Sequence, residues 1–466
     1  MTTKQSLQVI SPVDGSVYIH REYFNQHQIE QALNNGCQAQ TQWAATPIEQ
    51  RATLCLKAVD WMLQHAQDIA EEITWQMGRP LQYTPGELKG FAERARTMVE
   101  IAPNKLQDIT VEQSPDFQRL IQRRPLGLVF AVVPWNYPLL TAVNALIPAL
   151  MAGNTMIMKA SSQTPLCGER LQEALNQAGV PEGVFQSVLL THGDTEALVK
   201  HPKVDFLVFT GSVAGGQSLH QALGERFIGS TMELGGKDPA YVRADADLEF
   251  TVANLVDGAF FNSGQSCCGI ERIYVHQELY EEFTQRFVAL VKQYRLGNPL
   301  LPETTLGPVV NARAVQRVQT HIQQALQQGA QACIAPEDFP TDQPSGLYMP
   351  PQVLVNVNHA MDVMREETFG PVVGIMPVNS DAQAVELMND SHYGLTASVW
   401  TQDDAAAFTL GQQVHTGTWF MNRCDYLDPA LSWTGCKMSG TGCSLSEIAY
   451  EHLSRPKSFH LRKKIS

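Results

Sequence analysis

The sequence predicts an α/β protein with two successive α/β units and a small β arm. Three observations lead there. Apolar, β-rich runs alternate with helical stretches from 127 to 236. The same alternation returns less regularly from about 236 to 438. Two β-prone pieces, near 109–123 and 455–462, fall outside both units. Strands that are apolar throughout and alternate with helices form a parallel sheet covered on both faces. That is a nucleotide-binding architecture, with ligands beyond the carboxyl ends of the strands.

Residues 27–75 read as helices. In "IEQALNNGCQAQTQWAA" and "RATLCLKAVDWMLQHAQDIAEEITWQ" apolar residues recur at steps of three and four. "GLVFAVV" (127–133) is the first strand and "NTMIMKA" (154–160) the second. The helix "PLCGERLQEALNQAG" (165–179) follows, with Thr164 placed to cap it, Pro165 suited to its first turn and Gly179 to its end. "FQSVLL" (185–190) is a strand, "DTEALVKHP" a helix, and "VDFLVFTGS" (204–212) a strand. "AGGQSLHQALGERF" is helical, and "STMELGG" (230–236) is a strand ending in glycines. The second unit contains "DLEFTVANLVDGAFFNSGQ", "RIYVH", "ELYEEFTQRFVALVKQY", "AVQRVQTHIQQALQQG" and "GPVVGIMPV".

The 466 residues, 44% hydrophobic, suffice for two or three cores. A formal charge of −14 argues against a nucleic-acid partner. The basic stretches "RLIQRR" (119–124) and "HLRKK" (460–464) are short and far apart, and read as solvated faces or strand edges. "MTTKQSLQVISPVDG" has no apolar core, so no secretion signal is expected. Leu126 to Met158 carries no charge, but Pro134, Pro138 and Pro148 and Asn136, Asn144 and Asn154 interrupt it. It reads as buried strand, loop and helix rather than a membrane span. The nine cysteines form no CxxC pair and no zinc-spaced cluster with histidine. No metal is expected, and the odd count fits a reducing cytoplasm.

Four stretches could carry chemistry. "FFNSGQSCCGIER" (260–272) sets Cys267 and Cys268 among small and polar neighbours, either as a thiolate nucleophile or as a buried structural pair. "TMELGGKDP" (231–239) puts Glu233 at a strand end, as a general base or a salt-bridged surface residue. "FTGSVAGG" (209–216) is a strand running through glycines into a helix, whose N–H groups suit a phosphate although G-x-G-x-x-G is absent. "VPWNYP" (133–138) holds Asn136 between prolines, as an oxyanion donor or a packed loop residue.

Taken together, these stretches resemble the aldehyde dehydrogenase superfamily. The likeness runs from about residue 8 to the C-terminus. "PWNYP", "MIMKASSQTP", "FTGSVAGG", "MELGGKDP", "FFNSGQSCCG", "EETFGPVV", "SHYGLTASVWT" and "CKMSGTG" occur in the family's order. The resemblance implies that Cys267 is the nucleophile, Glu233 the base and Asn136 the oxyanion donor, with Glu447 a second glutamate linked to Glu233 through water. It implies a cofactor, NADP or NAD, held by Trp135, Lys159, Ser162, Gly211, Ser212, Gly216, Leu234, Glu367 and Phe369. It further implies a Rossmann-like dinucleotide-binding domain (1–106 and 126–235, with 439–451 packed on it). A catalytic domain (236–438) and oligomerisation strands (107–125 and 452–466) complete the expected organisation. A homodimer or homotetramer is expected. An inactive scaffold of the same fold is disfavoured, since Cys267, Glu233 and Asn136 are all intact.

Three departures bear on specificity. Ser162 stands where many NAD-preferring members keep a glutamate, so acceptance of NADP is expected. Cys443 and Ser444 replace a common Arg-Glu pair. Asn144 and Phe261 occupy positions where succinic-semialdehyde members often carry arginine. A tunnel of Tyr137, Phe261, Asp425, Tyr426 and Trp433 suits an aromatic, aliphatic or cationic amino aldehyde, with succinic semialdehyde the alternative.

Overall fold

The computed structural model describes residues 5–340 and 345–463. Of the expected segments, 1–4 of the first domain and 464–466 of the arm, including the last lysine of "HLRKK", lie outside the described residues. The first sheet has six strands, in the order Gly440–Thr441, Gly229–Glu233, Phe206–Thr210, Leu128–Val132, Thr155–Lys159 and Phe185–Val188. Every pairing is parallel except that of Gly440–Thr441 with Gly229–Glu233. The chain steps outward from Leu128 through Thr155 to Phe185, then crosses back to add Phe206 and Gly229 on the other side. A crevice opens where strand order reverses, beyond the carboxyl ends.

Register sets what faces that crevice. Val132 pairs with Lys159 on one side and Phe209 on the other, and Thr210 pairs with Glu233. The central strand is buried throughout, with Leu128, Val129 and Phe130 no more than 1% exposed. Each such side chain contributes about 1.5–3 kcal/mol, so the strand is anchored and its end is fixed in space. The uncharged stretch forms this strand, a loop, the helix Pro138–Met151 and the next strand. Among the described residues no helix is long and apolar enough to cross a membrane.

The second sheet has seven strands, ordered Gln331–Ala332, Gln352–Val355, Val372–Val378, Ile270–His276, Asp238–Val242, Thr396–Trp400 and Thr418–Met421. Only Gln331–Ala332 is antiparallel. The chain passes from one sheet to the other between Glu233 and Asp238. The two pieces outside these sheets pair with each other: Ser454–Arg462 and Ile109–Thr110 flank Phe117–Pro125 in an antiparallel sheet of three strands.

Three features depart from or add to the expectations. Thr164 does not cap its helix; its side chain makes no cap bond. A hairpin, Ser6–Ile10 with Val17–Glu22, precedes the first helix. A long helix, Pro85–Lys105, fills the stretch before the arm and buries Glu87 and Arg94 beside Phe91, Ala95 and Met98. Charged residues on its buried face obscure its apolar period.

Candidate active site

The cysteine loop follows the helix Leu248–Phe260. Asn262, Ser263 and Gly264 then take φ values of 52°, 56° and 68°. Two consecutive non-glycine residues in the left-handed region are costly unless their surroundings hold them. Here Ser263 Oγ donates to the Gly307 carbonyl at 2.9 Å and Gln265 Oε1 accepts from Val310 N–H at 2.9 Å. Gln265 Nε2 closes the turn on the Asn262 carbonyl at 3.1 Å. The loop therefore presents Cys267 half-buried and Cys268 3% exposed.

The two thiols differ in their partners. Cys268 Sγ donates to Asp425 Oδ1 at 2.9 Å, and Ser266 Oγ donates to the same oxygen at 3.0 Å. The neighbouring Cys267 thiol, burial and the Asp425 carboxylate together push the Cys268 thiol far above its usual range. Burial in turn raises Asp425 to about 6, against the bonds from Cys268 and Ser266. Cys268 is thus held as a neutral donor, whereas Cys267 is half-buried and makes no bond to that carboxylate.

Asn136 is 4% exposed, and its Nδ2 donates to the Gln265 carbonyl at 3.2 Å, two residues before Cys267. Its own carbonyl accepts from Arg79, which also pairs with Glu87 and lies 4.5 Å over the Tyr137 ring. Glu87 accepts from the N–H groups of Leu139 at 2.8 Å and Leu140 at 3.2 Å, at the start of helix Pro138–Met151. Arg79 and Glu87 are 2% and 3% exposed, so neither charge has water to replace its partner. Arg79→Met should lower unfolding stability by about 3–5 kcal/mol, because it strands the Glu87 carboxylate in the interior. Chemical denaturation measures this; an unchanged midpoint would show that the pair does not anchor the Asn136 loop.

Glu233 ends its strand partly buried. Ser444 Oγ donates to one carboxyl oxygen, and Thr210 Oγ1 donates to the other at 3.3 Å. Burial raises the carboxyl above its usual range, while Ser444, Thr210 and the Arg94 cation oppose the rise. The assignment of Glu447 requires correction. It is exposed and paired with Lys105 at 2.6 Å. Leu445 and Ser446 turn through φ of 60° and 51°, and this left-handed bend carries Glu447 to the surface. The residue at Glu233 is Ser444.

The crevice between the sheets gathers the residues expected to hold a dinucleotide. Ser212 caps the helix Val213–Leu223, accepting from Gly215 N–H at 3.2 Å. Free N–H groups at such a helix start suit a pyrophosphate. A Cβ on Gly216 would come within 2.6 Å of Leu234, so glycine is needed for the helix to close on the strand end. Lys159 is 6% exposed, and burial lowers its ammonium to about 8. Its one described bond is a 3.4 Å contact to the Ala160 carbonyl, which leaves donors for sugar hydroxyls. Ser162 opens on a surface pocket of about 320 Å³ with Thr191 and His192.

Across the crevice, Glu367 accepts from Gly236 N–H at 3.1 Å, and burial raises its carboxyl to about 7. A Cβ on Gly235 would meet that carboxylate at 2.4 Å. Phe369 sits at φ 54° with its ring 5.7 Å from Trp135, edge-on. The buried pair Lys237–Glu271 holds this segment: Glu271 accepts from Thr368 and Phe369 N–H, both at 2.8 Å. These donors, the glycine turn and the flanking rings form a cradle that fits a nicotinamide dinucleotide.

The expected tunnel residues occupy different depths. Tyr137 lies under Arg79, and Phe261 packs 5.3 Å from Tyr83. Asp425 lies beneath Ser266 and Cys268. Tyr426 is at the rim, 3.5 Å from Arg423 and donating to Glu93 at 3.3 Å. Trp433 is 3% exposed and exchanges two backbone bonds with Ser444, so it braces the partner of Glu233. Sequence reasoning passed over Arg79, Glu87, Arg94 and Glu271. A buried charge leaves no local signal, although Pro85 followed by Glu87 marks a helix start.

Comparison with known proteins identifies the family. The profile described as "Aldehyde dehydrogenase family" matches residues 1–459. The chain is 35% identical over 443 residues to an aldehyde dehydrogenase of Paenarthrobacter nicotinovorans, covering 94% of this chain and 96% of that one. It is 31% identical over 448 residues to an NADP+ succinate-semialdehyde dehydrogenase of Mycobacterium leprae, covering 95% and 96%. The crystal structure of PnpE in complex with nicotinamide adenine dinucleotide superimposes with a TM-score of 0.95 at 30% identity, covering 99% of this chain and 95% of that one.

Proposed function

The chain belongs to the aldehyde dehydrogenase family and is an NAD(P)-dependent oxidoreductase; we propose that it oxidises its aldehyde through a thioester on Cys267, which Glu233 then hydrolyses. The observation that carries this reading is the Asn136 amide, bonded beside Cys267 to the carbonyl of Gln265. Cys267 Sγ adds to the aldehyde carbon, and the oxyanion meets Asn136 Nδ2 and the Cys267 N–H. The bound nicotinamide supplies the hydride acceptor. Lys159, Ser212, Glu367, Phe369 and Trp135 bind and orient it. Glu233 takes a proton from water as that water attacks the thioester carbon, releasing the acid and the Cys267 thiolate.

The aromatic rings of Tyr137 and Phe261 support an aromatic or aliphatic aldehyde, and the acid Asp425, beside Ser266 and Cys268, supports an amino aldehyde. Succinic semialdehyde is the second reading, favoured by the M. leprae relative. Purified protein with benzaldehyde, hexanal, an aminoaldehyde or succinic semialdehyde, each with NAD and NADP, tests both by formation of reduced nicotinamide. No turnover across the panel, with cofactor still bound, would contradict the proposal. Ser162 brings no charge to repel a 2′-phosphate, so kcat/KM is expected to be higher with NADP. Ser162→Glu should reverse that order; a wild-type preference for NAD would refute the Ser162 reading.

A homodimer or homotetramer in the cytoplasm completes the proposal. The three-stranded sheet leaves Ser454–Arg462 as an edge, with Leu461 49% exposed, and such edges pair between subunits. Light scattering at the mass of one chain would contradict it.

A further inference from the structure

Beside Glu233 lies a small cavity where the polar Asn144, Thr210, Thr231 and Ser444 meet the apolar Ala145, Val208, Ala449 and Leu453, with Cys443 at its wall. Its volume of about 10 Å³ is at the lower bound for one water molecule. Asn144 is 2% exposed, and its Oδ1 accepts from Arg94 Nη1 at 3.2 Å. A guanidinium only donates, so the amide atom facing it is the oxygen and Nδ2 is turned away. Among the described residues nothing accepts from Asn144 Nδ2. Glu233 presents the converse need. An ionised carboxylate has about four acceptor positions, and Ser444 and Thr210 fill two. One water that accepts from Asn144 Nδ2 and donates to Glu233 satisfies both groups.

We propose that this cavity is a water site, and that Asn144, oriented by Arg94, is a positioning residue that stabilises the carboxylate form of Glu233 through that water. The inference rests on the reading of Glu233 as the base of thioester hydrolysis. Asn144 touches neither aldehyde nor cofactor in this role. The groups facing Glu233 are few. Arg94, on the helix Pro85–Lys105, is the cation and favours the carboxylate. Cys443 faces it from the segment after Gly440–Thr441, its thiol pushed up by burial and so neutral. Cys267 lies on the nucleophile loop. The fixed dipole of Asn144 and its water therefore adds to one cation, Arg94.

Asn144→Ala removes the donor, and the near-isosteric Thr231→Val removes a polar wall of the same cavity and serves if the first variant does not fold. The readouts are the first-turnover burst of reduced nicotinamide and the pH profile of kcat. Asn144→Ala should keep the burst and KM, and move the acid limb of kcat up by about one pH unit, as expected for losing one hydrogen bond to a charged group. Thr231→Val should shift it in the same direction by less. An intact burst with an unmoved acid limb in the folded variants would overturn the water site and leave Glu233 as base. A raised KM with an unmoved limb would make Asn144 a substrate contact and overturn it equally. Free acid formed with no acyl group ever held on Cys267 would instead overturn the proposed function.

Discussion

Cys267→Ala is expected to abolish aldehyde oxidation, with kcat/KM down on the order of 10⁴-fold or more, as when a catalytic nucleophile is removed. Cys268→Ala should keep most of the activity. The difference is not in the residue type or in the loop, which the two cysteines share. It lies in their surroundings: Cys268 is buried against the Cys267 thiol and donates a hydrogen bond to Asp425 Oδ1 at 2.9 Å. A buried thiol beside a carboxylate stays protonated, and a protonated thiol is a poor nucleophile. Among the described residues Cys267 makes no side-chain bond to a carboxylate, and it is half-buried. Steady-state rates with one good aldehyde decide the matter. A dead Cys268→Ala enzyme beside an active Cys267→Ala enzyme would reverse the assignment.

Glu233→Gln should separate the two halves of the reaction. Glutamine keeps the size of the side chain and an oxygen to accept from Ser444, but it cannot take a proton. The first turnover should proceed and hydrolysis should stall, with kcat lowered by about 10²–10⁴-fold and a burst of about one reduced nicotinamide per active site. The wild-type pH profile carries the same information. Burial holds the Glu233 carboxyl above its usual range; below that raised value the base is protonated, so kcat falls as pH drops through it. The acid limb should therefore lie above the ordinary carboxylate range and vanish in Glu233→Gln. Loss of the burst itself would place Glu233 in acylation rather than hydrolysis.

Much of this was legible because it is local. The strands read from their apolar runs; Asn136 and Cys267 sit in loops and Glu233 at a strand end, where glycine and proline mark the turns. What was not legible is long-range. Asp425, which accepts from the Cys268 thiol, lies 157 residues away. Arg79 reaches Asn136 across 57 residues, from a segment with no period of its own. Glu447 was misplaced for a different reason. The family resemblance implied a second glutamate at this position, and nothing in the sequence announces that Leu445 and Ser446 bend the chain left-handed and carry Glu447 to the surface. The arm strands read correctly as extended, but their mutual pairing depends on how the chain ends meet.

The central claim is that the acyl group is carried on Cys267 and released by Glu233. The most direct measurement is mass spectrometry of Glu233→Gln in a Cys268→Ala background, quenched after mixing with aldehyde and oxidised cofactor. An acyl adduct on the peptide containing Cys267, present at near one equivalent and absent without cofactor, is the predicted result. Free carboxylic acid formed at the wild-type rate, with Cys267 unmodified throughout, would contradict it.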